Sequence, residues 1–526
     1  MPTTYLEVGI ERIQSHLARS RRLWARRGAS EEMVRLTFTT AMAEEHGIPL
    51  DQLLINGLNA PTRVHDAALA KDGVIHLESP NEAEGLAEAR RLATTIRRRL
   101  PAAAVLLRWT TLSDGVLYES VIDDLHQEEW KEERYLPAPT EYPGARLCDE
   151  CQLGVAEHRI NQDRLCADCA QRRGHLNTGD PRGAWRQRTV RKRIKDHPVG
   201  FAAEWWLMDQ CDVMAAVPDL TALASMGPLP SAAPRLRRRA ENGNHTALIF
   251  ADGNGVGALF REALRRVADT ATREAASAHL SHGPAWQGGD SLDLGEVKKL
   301  SAHITGATFE ALMEGTSAIR ADSEDTLPVV PHINGGDDVL ISVTAPRAWR
   351  FLLKYLGTLR DETNRSTEAG SPRASAEKLG VEPFTMSAAM VICHHDYPFA
   401  NQVDLAEEML RRAKSAVHGN GWSLTWADVT HDGPRADAHG VWNLDDLLSL
   451  EPLLDNLAGD TAANLIQGIS GCLIDPDAGV AAQRLTHRAS RLPDVRQVLD
   501  AAGIPAQPTR EDLTRLADLL SVQRWW

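Results

Sequence analysis

HINGGDDVLISV (332–343) is the stretch on which the fold turns. Apolar residues run into Gly335, Gly336, Asp337 and Asp338 and straight out again along an alternating strand, the pattern of a β-hairpin with an acidic tip. Asp and Gly are ordinary turn residues, so a solvated tip is one reading. Adjacent carboxylates repel, however, and a divalent cation would reverse that penalty. Upstream, HTALIFADGNGVGALF (245–260) reads as a buried strand that gives out at Asp252 into Gly253, Asn254 and Gly255 and then a helix. Such strand ends are where α/β sheets present functional groups. The glycines let backbone approach a phosphate, and the helix N-terminus favours negative charge. Alone, this segment is equally a tight turn. Together the two segments put one carboxylate after a strand and a pair on a neighbouring hairpin. Such a set can hold two Mg2+ (or Mn2+) ions, which activate an attacking hydroxyl and neutralise leaving pyrophosphate. Lys414, in LAEEMLRRAKSAV on a helix after the next strand, is placed to meet a triphosphate, although a helix-surface lysine is more often solvated.

At 526 residues the chain is too long for one core, and about three or four domains are expected. Hydrophobic residues at 43% and charged residues at 25% are ordinary for a globular protein. No apolar run reaches the roughly 18 residues of a membrane span, and MPTTYLEVGIERIQ lacks a secretory pattern, so a cytoplasmic protein with no membrane partner is expected. A net charge of −14 gives no general attraction to nucleic acid. Basic residues nevertheless cluster: Arg19, Arg21, Arg22, Arg26 and Arg27; Arg186, Arg188, Arg191, Lys192, Arg193 and Lys195; Arg235, Arg237, Arg238 and Arg239. Each is either a solvated helix face or a local site for phosphate or RNA.

Four of the seven cysteines form a pattern. Cys148-x-x-Cys151 and Cys166-x-x-Cys169, with 14 residues between the pairs, have the spacing of a zinc ribbon; in a cytoplasmic chain disulfides are the weaker alternative. A site of four thiolates is closed, so its Zn2+ would be structural. Cys211, Cys393 and Cys472 read as core residues.

The segments in between give an α/β reading. TYLEVGI is a strand, IQSHLARSRRLWA an amphipathic helix, and ASEEMVRLTFTTAMAEEH a further helix with Ser30 as its cap; GVIHLES, EAEGLAEARRLATTIRRRL and AVLLRW complete the unit. Past the ribbon, FAAEWWLMDQCDVMAAV is helical and PLPSAAPRLRRRAENGN is a connector. The second α/β unit continues through a long helical insertion to about 320, the acidic hairpin, APRAWRFLLKYLGTLRDET, FTMSAAMVIC and WSLTWADV, and a leucine-periodic helical segment ends the chain.

ALIFADGNGVGALF, INGGDDVLISV and MSAAMVICHHDYPFANQVDLAEEMLRRAK resemble, in order and spacing, the second palm domain of the large polymerase-like subunit of type III CRISPR effector complexes. That family is a cyclic oligoadenylate synthetase and a relative of diguanylate cyclases. VGIERIQSHLARSRRLWARRGASEEM resembles the same subunit's degenerate first palm. The resemblance implies an α/β (α+β, ferredoxin-like) fold with two palm domains. It divides the chain into a first palm (1–145), a zinc ribbon (146–175), a helical linker (176–243), a catalytic palm (244–432) and a C-terminal helical domain (433–526). It further implies Asp252, Asp337 and Asp338 as Mg2+ ligands and catalytic residues, and Gly253 giving a backbone carbonyl. Asn254 and Gly255 would lie at the nucleotide, Gly335 and Gly336 would shape the turn, and Lys414 would meet the triphosphate of ATP. Asn254 stands where the cyclase relatives often carry a second aspartate, and Asp338 where they carry glutamate; both lean towards the CRISPR-type enzyme.

Many members of the family begin with an HD nuclease domain. Here the first palm pattern starts by about residue 5, and the dipeptides His65-Asp66, His395-Asp396 and His431-Asp432 lack a ligand set and read as chance, so DNA cleavage is not expected. The leading expectation is a Mg2+-dependent nucleotidyltransferase that condenses ATP into cyclic oligoadenylates in antiviral defence. Its expected partners are guide or target RNA and other effector subunits. The alternatives are a silent RNA-binding scaffold subunit and a stand-alone defence cyclase with another product.

Overall fold

The computed structural model describes residues 2–37, 54–65, 73–113, 130–137, 144–175, 202–232, 236, 243–267, 294–365, 371–458 and 462–526. The second and third basic clusters, Asp66 and most of the insertion before Leu294 lie outside these residues.

The first sheet has the order β2-β3-β1-β4-β5. Its strands are β1 (Thr3–Glu11), β2 (Arg63–Val64), β3 (Val74–Ser79), β4 (Ala104–Leu112) and β5 (Lys131–Tyr135), with every neighbouring pair antiparallel. Alternation along β1 sends Leu6, Val8 and Ile10 into a core shared with Ile75, Leu77, Val105 and Leu107. Between β1 and β2 lie α1 (Ile13–Ala18) and α2 (Leu23–Thr37); α3 (Glu82–Arg99) covers the sheet with Leu92 and Ile96. Asn81 caps α3 by accepting from the backbone of Ala83 and Glu84. The single amphipathic helix expected over IQSHLARSRRLWA is thus two, broken around Ser20–Arg22, and Ser30 lies inside α2 rather than capping it. The break has a tertiary cause: Ser20 Oγ takes a bond from Arg172 Nη1 (2.8 Å), and the backbone N–H of Arg22 donates to Glu150 (2.7 Å).

Those partners belong to the ribbon, where β6 (His158–Ile160) and β7 (Asp163–Leu165) pair and α4 (Ala167–His175) follows. Next, α5 (Ala202–Gln210) buries Leu207 and Met208 in the larger core.

The second sheet has the order β11-β12-β9-β13-β14-β15. Its strands are β9 (His245–Gly253), β11 (Val329–Gly335), β12 (Asp338–Thr344), β13 (Met386–His394), β14 (Ser423–Asp428) and β15 (Trp442–Asn443), while β8 (Ala215–Ala216) and β10 (Thr326–Leu327) pair with each other in parallel. Three helices accompany it: α6 (Leu294–Ala318), α7 (Ala345–Asn364) and α8 (Phe399–Ala416). β13 and β14 run parallel, so the connection between them must cross over, and α8 makes that crossover. β13 and β14 are buried on both faces, which is why they read as almost continuous apolar runs. The C-terminal helices, ending in α9 (Arg510–Trp525), join the same core. Ile333 of β11 packs against this core and against that of the first sheet. Among the described residues no helix is long and apolar enough to cross a membrane.

Candidate functional site

β9 and β12 are antiparallel with Asp252 directly opposite Asp338. Directly opposed residues share a face of the sheet, with Cβ atoms about 5 Å apart, so the two carboxyl groups stand side by side. The hairpin tip closes over the end of β9: the N–H of Gly253 donates to the carbonyl of Asp337 at 2.8 Å. Gly336 has φ +52°, a left-handed conformation that favours glycine, and its carbonyl accepts from Thr308 Oγ1 at 2.7 Å. The paired glycines are therefore a requirement of this turn at Gly336, and α6 braces it through Thr308.

Lys414, near the end of α8, reaches across β9. Its Nζ donates to Asp252 Oδ2 at 2.7 Å and to the carbonyl of Gly253 at 2.8 Å. One protein cation thus sits on the two oxygens assigned by resemblance to a metal ion, which shows that this pair can hold a cation. Gly255 is exposed at the start of the helix over 256–267, with φ +63°. Asn254 is buried, and its side chain is fully engaged. Its Nδ2 donates to the Gly421 carbonyl (2.7 Å) and Thr385 Oγ1 (3.2 Å), and its Oδ1 accepts from Ser387 Oγ (2.8 Å). That amide ties the turn after β9 to β13 and the loop before β14, and so fixes the backbone of the segment expected to lie at the nucleotide.

Sequence reading missed one residue at the site. Gln14 of α1 donates from Nε2 to Asp338 Oδ2 at 3.3 Å, bringing the first unit to a carboxylate of the second. Nothing in the local sequence marks it, because the contact spans more than three hundred positions.

Among the described residues, two groups of three or more potential ligands have all their donor atoms within 4.8 Å of one another. One is Cys148, Cys151, Cys166 and Cys169, all buried. The Sγ atoms of Cys151 and Cys166 are 3.8 Å apart, the edge of a sulfur tetrahedron with zinc–sulfur bonds of about 2.3 Å. Contact with Cys148 pulls the Cys151 thiol down and pushes that of Cys169 up, as expected of four sulfurs crowded into one small site. The residues fit a closed zinc site. The other group is His394, His395 and Asp396, at the far end of β13: His394 pairs with His245 where Ser387 pairs with Asp252. His395-Asp396 therefore has a third neighbour, but it stands a sheet's length from the acidic pair. The third dipeptide is structural, with Asp432 bound to the His431 and His439 rings.

The first arginine cluster is mostly internal. Arg27 forms a buried ion pair with Glu204 of α5. Arg22 bonds Asp163 of the ribbon at 3.0 Å. Arg26 lies over the Phe399 ring at 3.7 Å, where burial draws its guanidinium down to about 9. Only Arg21 is an exposed face residue.

Residues 245–421 match the Cas10/Cmr2 second palm domain, a span that includes Asp252, Asp337, Asp338 and Lys414. No curated protein matches the chain. Among solved structures it is similar to a Csm1–Csm4 cassette in complex with cA4, at 13% identity and a TM-score of 0.47 over 99% of this chain and 69% of that one. It is similar to the same cassette with one ATP at 12% and 0.44, over 99% and 70%. Type III-B Cmr-beta in its apo state is similar at 10% and 0.43, over 93% and 77%. Residues 245–421 therefore belong to the Cas10/Cmr2 second-palm family.

Proposed function

We propose that the chain is a nucleotidyltransferase that condenses ATP into cyclic oligoadenylate within a type III effector assembly. One observation carries the reading. In a palm domain of the Cas10/Cmr2 family, Asp252 and Asp338 stand opposite each other, and Lys414 already lays a cation on Asp252 and the Gly253 carbonyl.

Asp252, Asp337, Asp338 and the Gly253 carbonyl would hold Mg2+. When bound, the ions lower the pKa of an attacking hydroxyl and offset charge on the departing pyrophosphate. The carboxylates and the rigid hairpin tip fix where the 3′-hydroxyl of one ATP meets the α-phosphate of another. Gly255 and the helix after it leave room for phosphate at a helix N-terminus. Lys414 leaves Asp252 to meet the triphosphate, exchanging one anion for another. Cys148, Cys151, Cys166 and Cys169 would hold a structural Zn2+, closed to substrate. Target or guide RNA and neighbouring subunits are the proposed partners and the source of activation.

The purified chain is incubated with labelled ATP or GTP and Mg2+ or Mn2+, with and without RNA. ATP-derived cyclic oligomers are expected. A GTP-derived product would replace this reading with a different cyclase. No product from any nucleotide, even with partner subunits and RNA, would leave a scaffold.

A further inference from the structure

The acidic pair is served from two directions. Asp252 is held by Lys414 from its own unit, whereas Asp338 takes the amide of Gln14 from α1, in the other unit. α1 has six residues, is preceded by Arg12 in a left-handed conformation and has no side-chain cap there. A helix this short does not hold itself in water. Its place is set at its other end, by the ribbon. Arg172 of α4 donates from Nη2 to the carbonyl of His16 (3.0 Å) and from Nη1 to Ser20 Oγ (2.8 Å), with the His16 ring 3.2 Å from Nη2. Burial, reinforced by Arg172, pulls His16 down to about 3, so the ring is neutral and accepts from the guanidinium. Asp168 fixes Arg172 at 2.7 Å and itself accepts from the Ala102 N–H at 3.3 Å. Arg172 is 1% exposed, and it lies one turn after Cys169 on the same helix. Beside it Gly28 of α2 packs so closely that a Cβ would come 2.1 Å from the Arg172 carbonyl oxygen.

We propose that Gln14 is a positioning residue for Asp338, and that the cysteine ribbon sets its position through Arg172. The route runs Cys169, Arg172, His16, Gln14, Asp338. The proposal rests on the reading of Asp338 as a metal ligand. A carboxylate that binds a metal is typically oriented by a donor to its remaining lone pair, and losing such a donor weakens metal affinity by about 10–100-fold.

The test titrates the intact chain with Mn2+ alone, followed by electron paramagnetic resonance, with a melting curve for every variant. Gln14→Met keeps the length of the side chain and removes the donor; Mn2+ affinity is expected to fall at least about tenfold with little change in melting. Arg172→Met is expected to weaken Mn2+ binding several-fold in the parent and to have no further effect in Gln14→Met, because both act through one contact. Should Arg172→Met not fold, Ser20→Ala, which removes a single acceptor, takes its place in the cycle. Unchanged affinity in Gln14→Met overturns the proposal, and so does a ribbon effect of equal size in both backgrounds. In those cases a loss of Mn2+ binding in Asp252→Asn shows that the metal reading itself survives. A parent that binds no Mn2+, or one indifferent to Asp252→Asn, overturns that reading and the proposal together.

Discussion

In the first sheet β1 runs between β3 and β4; in the second, β9 runs between β12 and β13. The chain visits both in the same order: strand, helices, hairpin, helix, strand. The closing hydrogen bond also corresponds, from Ile10 N–H to the Gly73 carbonyl (3.0 Å) and from Gly253 N–H to that of Asp337 (2.8 Å). One step back from it, Gly9 faces Val74 in the first sheet and Asp252 faces Asp338 in the second. A Cβ at Gly9 would come 2.9 Å from Val74 Cγ2, so the first sheet has no space for the side chain that Asp252 places in the second. The backbone frame is common property; the acid pair is an addition to it. After the fourth strand the two also part, for β4 meets β5 antiparallel, whereas β13 is followed by α8, which brings Lys414 back to the site.

The largest expected effect tests which sheet carries the chemistry. Replacing Asp337 and Asp338 together with alanine should lower ATP condensation by about 1000-fold or more while the protein melts normally, because crowded carboxylates do little for stability. Retained turnover with a normal melt would place the chemistry elsewhere and break the contrast.

A second test asks whether the arginines of the first unit join elements or bind nucleotide. Arg27→Ala removes one side of a buried ion pair with Glu204, which should cost about 3–5 kcal/mol in urea unfolding without altering ATP affinity per folded molecule. Lost ATP affinity at unchanged stability would make the cluster a ligand site after all.

The third concerns how the second sheet is fastened beyond β14, by a buried His between two carboxylates, where β5 of the first sheet is fastened by half-exposed ion pairs such as Lys131–Glu82. His439 lies between Asp432 and Asp518 at 2.9 Å from each, joining the end of the sheet to α9. Burial disfavours its charge, but the two carboxylates prevail and raise it to about 9. Since that is above the unfolded value of 6.5, its stabilisation is complete below about pH 6.5 and is lost as pH rises through 9. Stability should fall by about 3 kcal/mol across that interval, and His439→Gln should flatten the profile. An unchanged profile would remove His439 from the account.

The smallest effect belongs to Gly9. Gly9→Ala should cost about 1–3 kcal/mol through overpacking against Val74, read from thermal melts. A neutral outcome would mean that the first sheet tolerates side chains where the second uses them.

Much of this was legible in the sequence where the signal was local. β9 and β12 are apolar runs with acids at their ends, and the cysteine pairs carry their own spacing. The break between α1 and α2 was not legible, because residues 13–24 have a helical pattern that only Arg172 and Glu150 interrupt. Ser30 looked like a cap because α2 was expected to begin there. Gln14 is a commonplace helix residue until Asp338 arrives beside it. The bonds that Thr385, Ser387 and Gly421 make to the Asn254 amide were equally out of sight, because those residues lie more than 130 positions away. Each miss is a case of distant partners deciding a local outcome.

The close seat of Gly28 on the Arg172 backbone has a consequence for how the molecule is made. Synthesis runs from the N-terminus, and domains generally complete in that order. The strands of the first sheet have emerged by Tyr135, and Ala29, Met33 and Leu36 of α2 can join their core, yet the Gly28 side of α2 gains its seat only when α4 leaves the ribosome, and the ion pair of Arg27 with Glu204 forms later still. The opening segment of the nascent chain is therefore among the last to settle: a start that must wait for residues made well after it.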